Sequence, residues 1–215
     1  MRSAALLFPL RARVPPVQDV ARHPFWLDGR DVSPPASPSP LPSHFGIALG
    51  SNLGDRAENL RRGLTLLQER MPELRIIACG GVYETEPMDC APGTQAFLNT
   101  VVEATAPCAP QELHTHLKAV EQALGRPEQR ERNAPRTLDL DLLYADDIVS
   151  TDPVLLLPHP RLHLRRFVLQ PLADIRPHLK LPGLDADITA LLQHLPDNPA
   201  DVRRVEGLPL LSTGP

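Results

Sequence analysis

Two carboxylates two residues apart, Asp139 and Asp141, lie in the run Leu138-Asp139-Leu140-Asp141-Leu142-Leu143-Tyr144. Strict alternation of this kind marks a strand with one buried face, so both aspartates project from the other face with their Cα atoms ~6.6 Å apart. Two carboxylates at that spacing either stand solvated or converge on a divalent cation, and oxygen ligands favour Mg²⁺ over softer metals. A wet polar strand face is the alternative reading of the same pair.

The neighbouring residues bear on that choice. Arg126, Arg130, Arg132 and Arg136 lie in the loop feeding the strand, and His159, Arg161, Arg165 and Arg166 in the segment leaving it. Metal-holding carboxylates beside several guanidinium groups suit a polyphosphate: the metal bridges phosphate oxygens and the arginines neutralise the remaining charge. Taken singly, each arginine reads as a solvated surface residue and His159 as a loop residue between two prolines. No GxxxxGK[ST] phosphate loop occurs, and Gly50-Ser51-Asn52-Leu53-Gly54 is too short to count as a phosphate cradle.

The elements that must hold these groups begin at Phe45-Gly46-Ile47-Ala48-Leu49, a short apolar strand stopped by Gly50-Ser51-Asn52. Asp55 caps a helix whose Leu60, Leu64, Leu67 and Met71 recur at spacings of three and four. Residues 75–83 read as one strand with a bulge or bend at Gly80-Gly81, and residues 97–104 as another, with a long loop between them. Pro110 opens a second amphipathic helix with Leu113, Leu117, Val120 and Leu124, ended by Gly125. The aspartate strand follows. The order β-α-β-β-α-β implies an α+β, ferredoxin-like antiparallel sheet. Two shorter helices, one after His159 and one over 188–195, are expected to cover its other face, giving three α-β-α layers.

Composition narrows the setting. The chain of 215 residues carries a net charge of −4, against a protein that coats nucleic acid. Three cysteines without a CxxC pair are expected to be free thiols of a reducing compartment. The first residues lack a secretory pattern and no stretch is long and apolar enough to span a bilayer, so a cytoplasmic protein with no membrane partner is expected. Nine of the 26 prolines fall in residues 1–43, read as a proline-rich disordered tail. A folded domain is expected over 44–197 and a C-terminal tail over 198–215. An RNA-binding module shares the β-α-β-β-α-β order, but it would display aromatics where this strand displays aspartates.

The stretch Arg132-Asn133-Ala134-Pro135-Arg136-Thr137-Leu138-Asp139-Leu140-Asp141-Leu142-Leu143 resembles the signature of 6-hydroxymethyl-7,8-dihydropterin pyrophosphokinases. Gly50-Ser51-Asn52-Leu53-Gly54-Asp55, Tyr83-Glu84-Thr85-Glu86-Pro87, Phe97-Leu98-Asn99, Leu157-Pro158-His159-Pro160 and Arg165-Arg166-Phe167 join it. The resemblance, from about Phe45 to Leu195, implies transfer of the β,γ-pyrophosphoryl group of ATP to the pterin hydroxymethyl group, with release of AMP, in folate biosynthesis. It implies two Mg²⁺ ions on Asp139 and Asp141, catalytic roles for Arg126 and Arg136, and ATP contacts from Glu121, Arg126, Arg132, Arg136, Leu142, His159 and Arg165. Asn99, with Thr85 and Met88, would bind the pterin edge, and Phe97 and Phe167 its two faces. A monomer acting on these two small substrates is expected. The chain departs from the pattern at Glu128, where a second phosphate-binding arginine can stand, and at Asn133, where a tryptophan can; Val154 and Leu156 replace polar nucleotide contacts.

Overall fold

The computed structural model describes residues 43–87, 93–125, 135–196 and 202–211. Of the expected proline-rich N-terminal tail, residues 1–42 lie outside this set. Strand β1 (Ser43–Ser51) is longer than its apolar run, and its odd positions Phe45, Ile47 and Leu49 are fully buried. Beyond His44 its even positions are Gly46, Ala48 and Gly50, so from there on the opposite face of this strand is almost bare of side chains.

Helix α1 (Arg56–Arg70) starts where Asp55 accepts a hydrogen bond from the Glu58 N–H at 3.0 Å, and it buries Leu60, Gly63, Leu64 and Leu67. Helix α2 (Pro110–Ala123) opens on proline and ends before Gly125, whose φ of 89° is the left-handed conformation that glycine adopts without a Cβ clash. Both helices lie against the Phe45–Ile47–Leu49 face and share one apolar core with it.

Residues 75–83 are corrected to two strands. β2 (Arg75–Cys79) and β3 (Val82–Thr85) both pair antiparallel with β4 (Phe97–Ala106), separated at Gly80 and Gly81. Gly80 is small by necessity: a Cβ there would stand 2.9 Å from the carbonyl carbon of Pro171, so a side chain would not fit beneath the helix above. The aspartate strand, β5 (Asp139–Ala145), pairs with β1. A hairpin, β6 (Ser150–Asp152) and β7 (Leu155–Leu157), and a 3₁₀ turn at Leu162–Leu164 follow it.

Helices α3 (Arg166–Ile175) and α4 (Ile188–His194) form the layer on the other face. There Val168, Leu169, Leu172 and Ile188 pack with Val101, Leu143 and Tyr144. The register of β5 slips between Gly46 and Ile47, which puts both Leu143 and Tyr144 on this side, and the Tyr144 ring occupies the space that Gly46 leaves empty. The sheet order is β5-β1-β4-β3-β8, with β2 also on β4, and every pairing is antiparallel.

The last strand corrects the expected C-terminal tail. β8 (Arg203–Val205) pairs with β3, and Leu210 is buried in the core beside α1, so residues 202–211 belong to the domain. Arg203 binds Glu84, which also accepts from Arg56 Nη1 at 2.8 Å; Arg56 Nη1 donates at 2.7 Å to the Ala96 carbonyl as well. One guanidinium thus joins the two stems of the loop between β3 and β4.

Candidate active site

Three adjacent strands set the site. In the antiparallel register Asn99 of β4, Gly50 of β1 and Asp139 of β5 stand in one row, and Val101, Ala48 and Asp141 in the next. Directly opposed residues share a face, so Asn99 and the two aspartates project from the same side. Gly50 is small by necessity here: a Cβ would come within 2.9 Å of Asn99 Oδ1 and 4.0 Å of Asp139 Cβ. The absent side chain lets the groups of β4 and β5 close over the strand between them.

The aspartates are partly open, their side chains 22% and 34% exposed, and each faces a cation. Arg136 Nη1 donates to Asp139 Oδ2 at 2.7 Å. Around Asp141 the approach is looser, with Arg165 Nη1 at 3.8 Å and Lys118 Nζ at 3.9 Å. Arg136 is held in turn by Asn52, whose Oδ1 accepts the Arg136 N–H at 2.7 Å and whose N–H donates to the Arg136 carbonyl at 3.1 Å. Asn52 Nδ2 and Arg136 Nε are buried donors with no acceptor among the described residues. Two unmet donors beside a carboxylate pair are what an anionic ligand would satisfy.

The guanidinium groups also cover the aromatic residues. Arg136 stands 5.7 Å from the centroid of the Phe97 ring, and Arg165 5.5 Å from that of Phe167, both in cation–π range. Asn99 Nδ2 donates to Thr85 Oγ1 at 2.7 Å, with both residues buried. His159 lies past β7; its N–H donates to the Leu143 carbonyl at 2.7 Å, and its Nδ1 accepts from the Arg161 N–H at 3.2 Å. Burial holds this imidazole below its ordinary range, with the Asp141 charge pulling the other way. The neutral ring therefore keeps its proton on Nε2, as a donor.

Asp139, Asp141, Arg136, Arg165, His159, Thr85, Phe97, Asn99 and Phe167 thus gather at one end of the sheet. Arg126, Arg132 and Met88 lie outside the described residues, as do Glu128 and Asn133. Glu121 and Leu142, two of the expected ATP contacts, are buried. Glu121 is 1% exposed, and its Oε1 accepts from the Leu140 N–H and from Lys118 Nζ. The Leu142 side chain is core, so it offers a ligand only its backbone. Arg166 turns away and donates to the carbonyls of Leu195 and Pro196, at the end of α4. Sequence reasoning missed Lys118, Asn52 and Arg56. For Lys118 a signal existed: its partner Glu121 is a charge on the apolar stripe between Leu117 and Leu124.

The two carboxylates suit a hard divalent cation. They are all-oxygen, on one face, partly open to solvent and balanced here by side-chain cations. No cluster of three or more His, Cys, Asp or Glu occurs among the described residues, so phosphate oxygens and water would complete the coordination.

Residues 46–177 match the family model described as 7,8-dihydro-6-hydroxymethylpterin-pyrophosphokinase. The chain is 39% identical over 136 residues to a 2-amino-4-hydroxy-6-hydroxymethyldihydropteridine pyrophosphokinase of Pseudomonas aeruginosa, covering 63% of this chain and 82% of that one. A Bacillus subtilis protein of the same name is 41% identical over 130 residues, 60% of this chain and 75% of its own. Among solved structures, Plasmodium falciparum HPPK-DHPS A437G with pteroate superposes with a TM-score of 0.56 at 16% identity over 73% of this chain. That likeness speaks to fold alone, and this chain covers 44% of the Plasmodium chain. With a family match over more than half its length and relatives of about 40% identity, the chain belongs to the 7,8-dihydro-6-hydroxymethylpterin pyrophosphokinase family.

Proposed function

We propose that the row of aspartates and arginines at the end of β1, β4 and β5 carries the family's reaction, and that Asp139 and Asp141 hold two Mg²⁺ ions there. The chain is a pyrophosphokinase of folate synthesis, acting on 6-hydroxymethyl-7,8-dihydropterin. In the reaction the hydroxymethyl oxygen attacks the β-phosphorus of ATP. The bond from that phosphorus to the α,β-bridging oxygen breaks, its electron pair leaves on AMP, and the hydroxyl proton passes to water. Bound by the carboxylates, Mg²⁺ supplies charge withdrawal from the triphosphate.

The observation that carries this reading is that the same two arginines touch both halves of the site. Arg136 and Arg165 each pair with an aspartate while lying over Phe97 or Phe167. A flat heteroaromatic ring stacked on those phenylalanines would therefore be delivered beside the phosphate-binding charges, and catalysis rests on positioning and electrostatics. His159 Nε2–H, the buried donors of Arg136 and Asn52, and the Leu142 backbone are the remaining contacts for the nucleotide. Asn99, with one amide hydrogen already given to Thr85, presents the rest of its amide to the pterin edge. The finer fold class is the ferredoxin-like β-α-β-β-α-β frame, supported by β1 lying between β4 and β5. A monomer working in the cytoplasm completes the proposal. No helix among the described residues is long and apolar enough to cross a membrane.

The test is product identity. With ATP, Mg²⁺ and the hydroxymethyl-dihydropterin, AMP should form in step with pyrophosphorylated pterin; ADP, or nucleotide cleavage indifferent to the pterin, would overturn the reading. Phe167→Ala should weaken pterin binding at least about tenfold while ATP affinity stays within about twofold, because stacking and ring burial are lost on one side only. Equal losses for both ligands, measured by fluorescence titration, would contradict the stacking role.

A further inference from the structure

Leu140 lies between the two aspartates on β5, and β5 is an edge strand. The N–H and C=O of every second residue on such a strand face outward and need partners that a neighbouring strand would normally supply. At Leu140 helix α2 supplies them. Glu121 Oε1 accepts the Leu140 N–H at 2.6 Å, and Lys118 Nζ donates to the Leu140 carbonyl at 2.8 Å. The two side chains stand one helical turn apart, 3.2 Å from each other, with the carboxylate 1% and the ammonium 34% exposed.

Burying a charge on the core side of a helix is unfavourable unless each of its bonding sites is met. Leu113, Leu117 and Val120 show that the rest of this stripe is ordinary core. Glu121 is stable there because it closes a backbone donor and an ammonium at once. The result is a rigid mimic of a strand, applied at the single residue that separates Asp139 from Asp141. Two carboxylates converge on one cation only if the strand between them keeps its twist, and an unpaired edge residue is where a strand loosens first.

We propose that Lys118 and Glu121 are positioning residues: by clamping Leu140 they hold the Asp139 and Asp141 carboxylates convergent on a divalent cation. The proposal rests on the reading of those aspartates as metal ligands. It gives Glu121 a role through the strand, in place of the direct ATP contact implied by resemblance.

Mn²⁺ is the probe, its binding to the full chain followed by electron paramagnetic resonance of the free ion, with hydrogen exchange of the Leu140 amide alongside. Glu121→Ala and Lys118→Met should each weaken Mn²⁺ binding by about tenfold, the usual effect of losing a group that orients a ligand. Both should speed exchange at Leu140, and both should leave pterin affinity within about twofold of the parent. Glu121→Gln keeps an acceptor for the Leu140 N–H and should retain most of the affinity; if Glu121→Ala does not fold, Lys118→Met alone carries the test. Asp141→Asn is the control for the site. If Asp141→Asn loses Mn²⁺ while Lys118→Met, and Glu121→Ala where it folds, bind it like the parent, the clamp is refuted and the metal site stands. If Asp141→Asn also binds like the parent, the metal reading fails and takes the clamp with it. Equal weakening of metal-free ATP binding by Glu121→Gln would make Glu121 a direct nucleotide contact, and overturn the proposal.

Discussion

Asp141→Ala should lower turnover by on the order of 10³-fold or more, because a carboxylate that holds a charge-neutralising cation contributes several kcal/mol to phosphoryl transfer. The folded state should hardly notice. The side chain is about one-third exposed, its cationic neighbours Arg165 and Lys118 stand 3.8 and 3.9 Å away, and neither is within hydrogen-bond range. Loose, solvated ion pairs contribute about 1 kcal/mol or less, so the melting temperature should stay within roughly 3 °C. Turnover by AMP release and a thermal melt check the two halves. A variant that melts far lower would mark Asp141 as a structural residue, and one that turns over normally would remove it from the site.

Gly80→Ala should do the reverse. Gly80 donates its N–H to Val101 at 2.9 Å and takes the Thr100 hydroxyl on its carbonyl at 3.1 Å, which pins its position against β4. Above it lies the backbone of α3, with the Pro171 carbonyl carbon 2.9 Å and the Pro171 Cβ 3.0 Å from the place a new methyl would take. Neither backbone can turn aside as a flexible side chain would. The helix must lift, against its anchorage through Asp174, which accepts from the Tyr83 hydroxyl and the Gly81 N–H at 2.9 Å. Burial and the Asp174 carboxylate push the Tyr83 phenol up to about 12, so this link stays intact across the neutral range. Overpacking of this kind costs about 3 kcal/mol, or roughly 6 to 12 °C in Tm for a domain of this size. Since Phe167 and Arg165 stand at the start of α3, the KM for pterin should rise as well. A melt within 2 °C of the parent would mean that the helix does not lie so close (a threshold set by roughly 1 kcal/mol in a domain of this size).

The aspartate pair was readable because period-two alternation is local: spacing along seven residues decides which side chains share a face, whatever the strand later pairs with. The helix limits at Asp55, Pro110 and Gly125 were readable for a similar reason, since caps answer to groups within a turn. The division of residues 75–83 was not. The glycine pair showed only that some irregularity was required, and the need for glycine at position 80 comes from the Pro171 backbone, far along the chain. Nor did the polar composition of residues 198–215 reveal that Arg203–Val205 would find the open edge of β3.

Resemblance grouped Glu121 and Leu142 with the nucleotide contacts; only the tertiary structure showed that both side chains are buried. Chain order and local spacing were enough to bring out the carboxylate pair, the arginines flanking it, the amphipathic helices and the family. The row Asn99–Gly50–Asp139, the aromatic rings lying under Arg136 and Arg165, and the clamp on Leu140 came from packing. Each joins residues tens of positions apart, and such contacts exist only once β1 has been enclosed by β4 and β5 and the helices have closed over both faces.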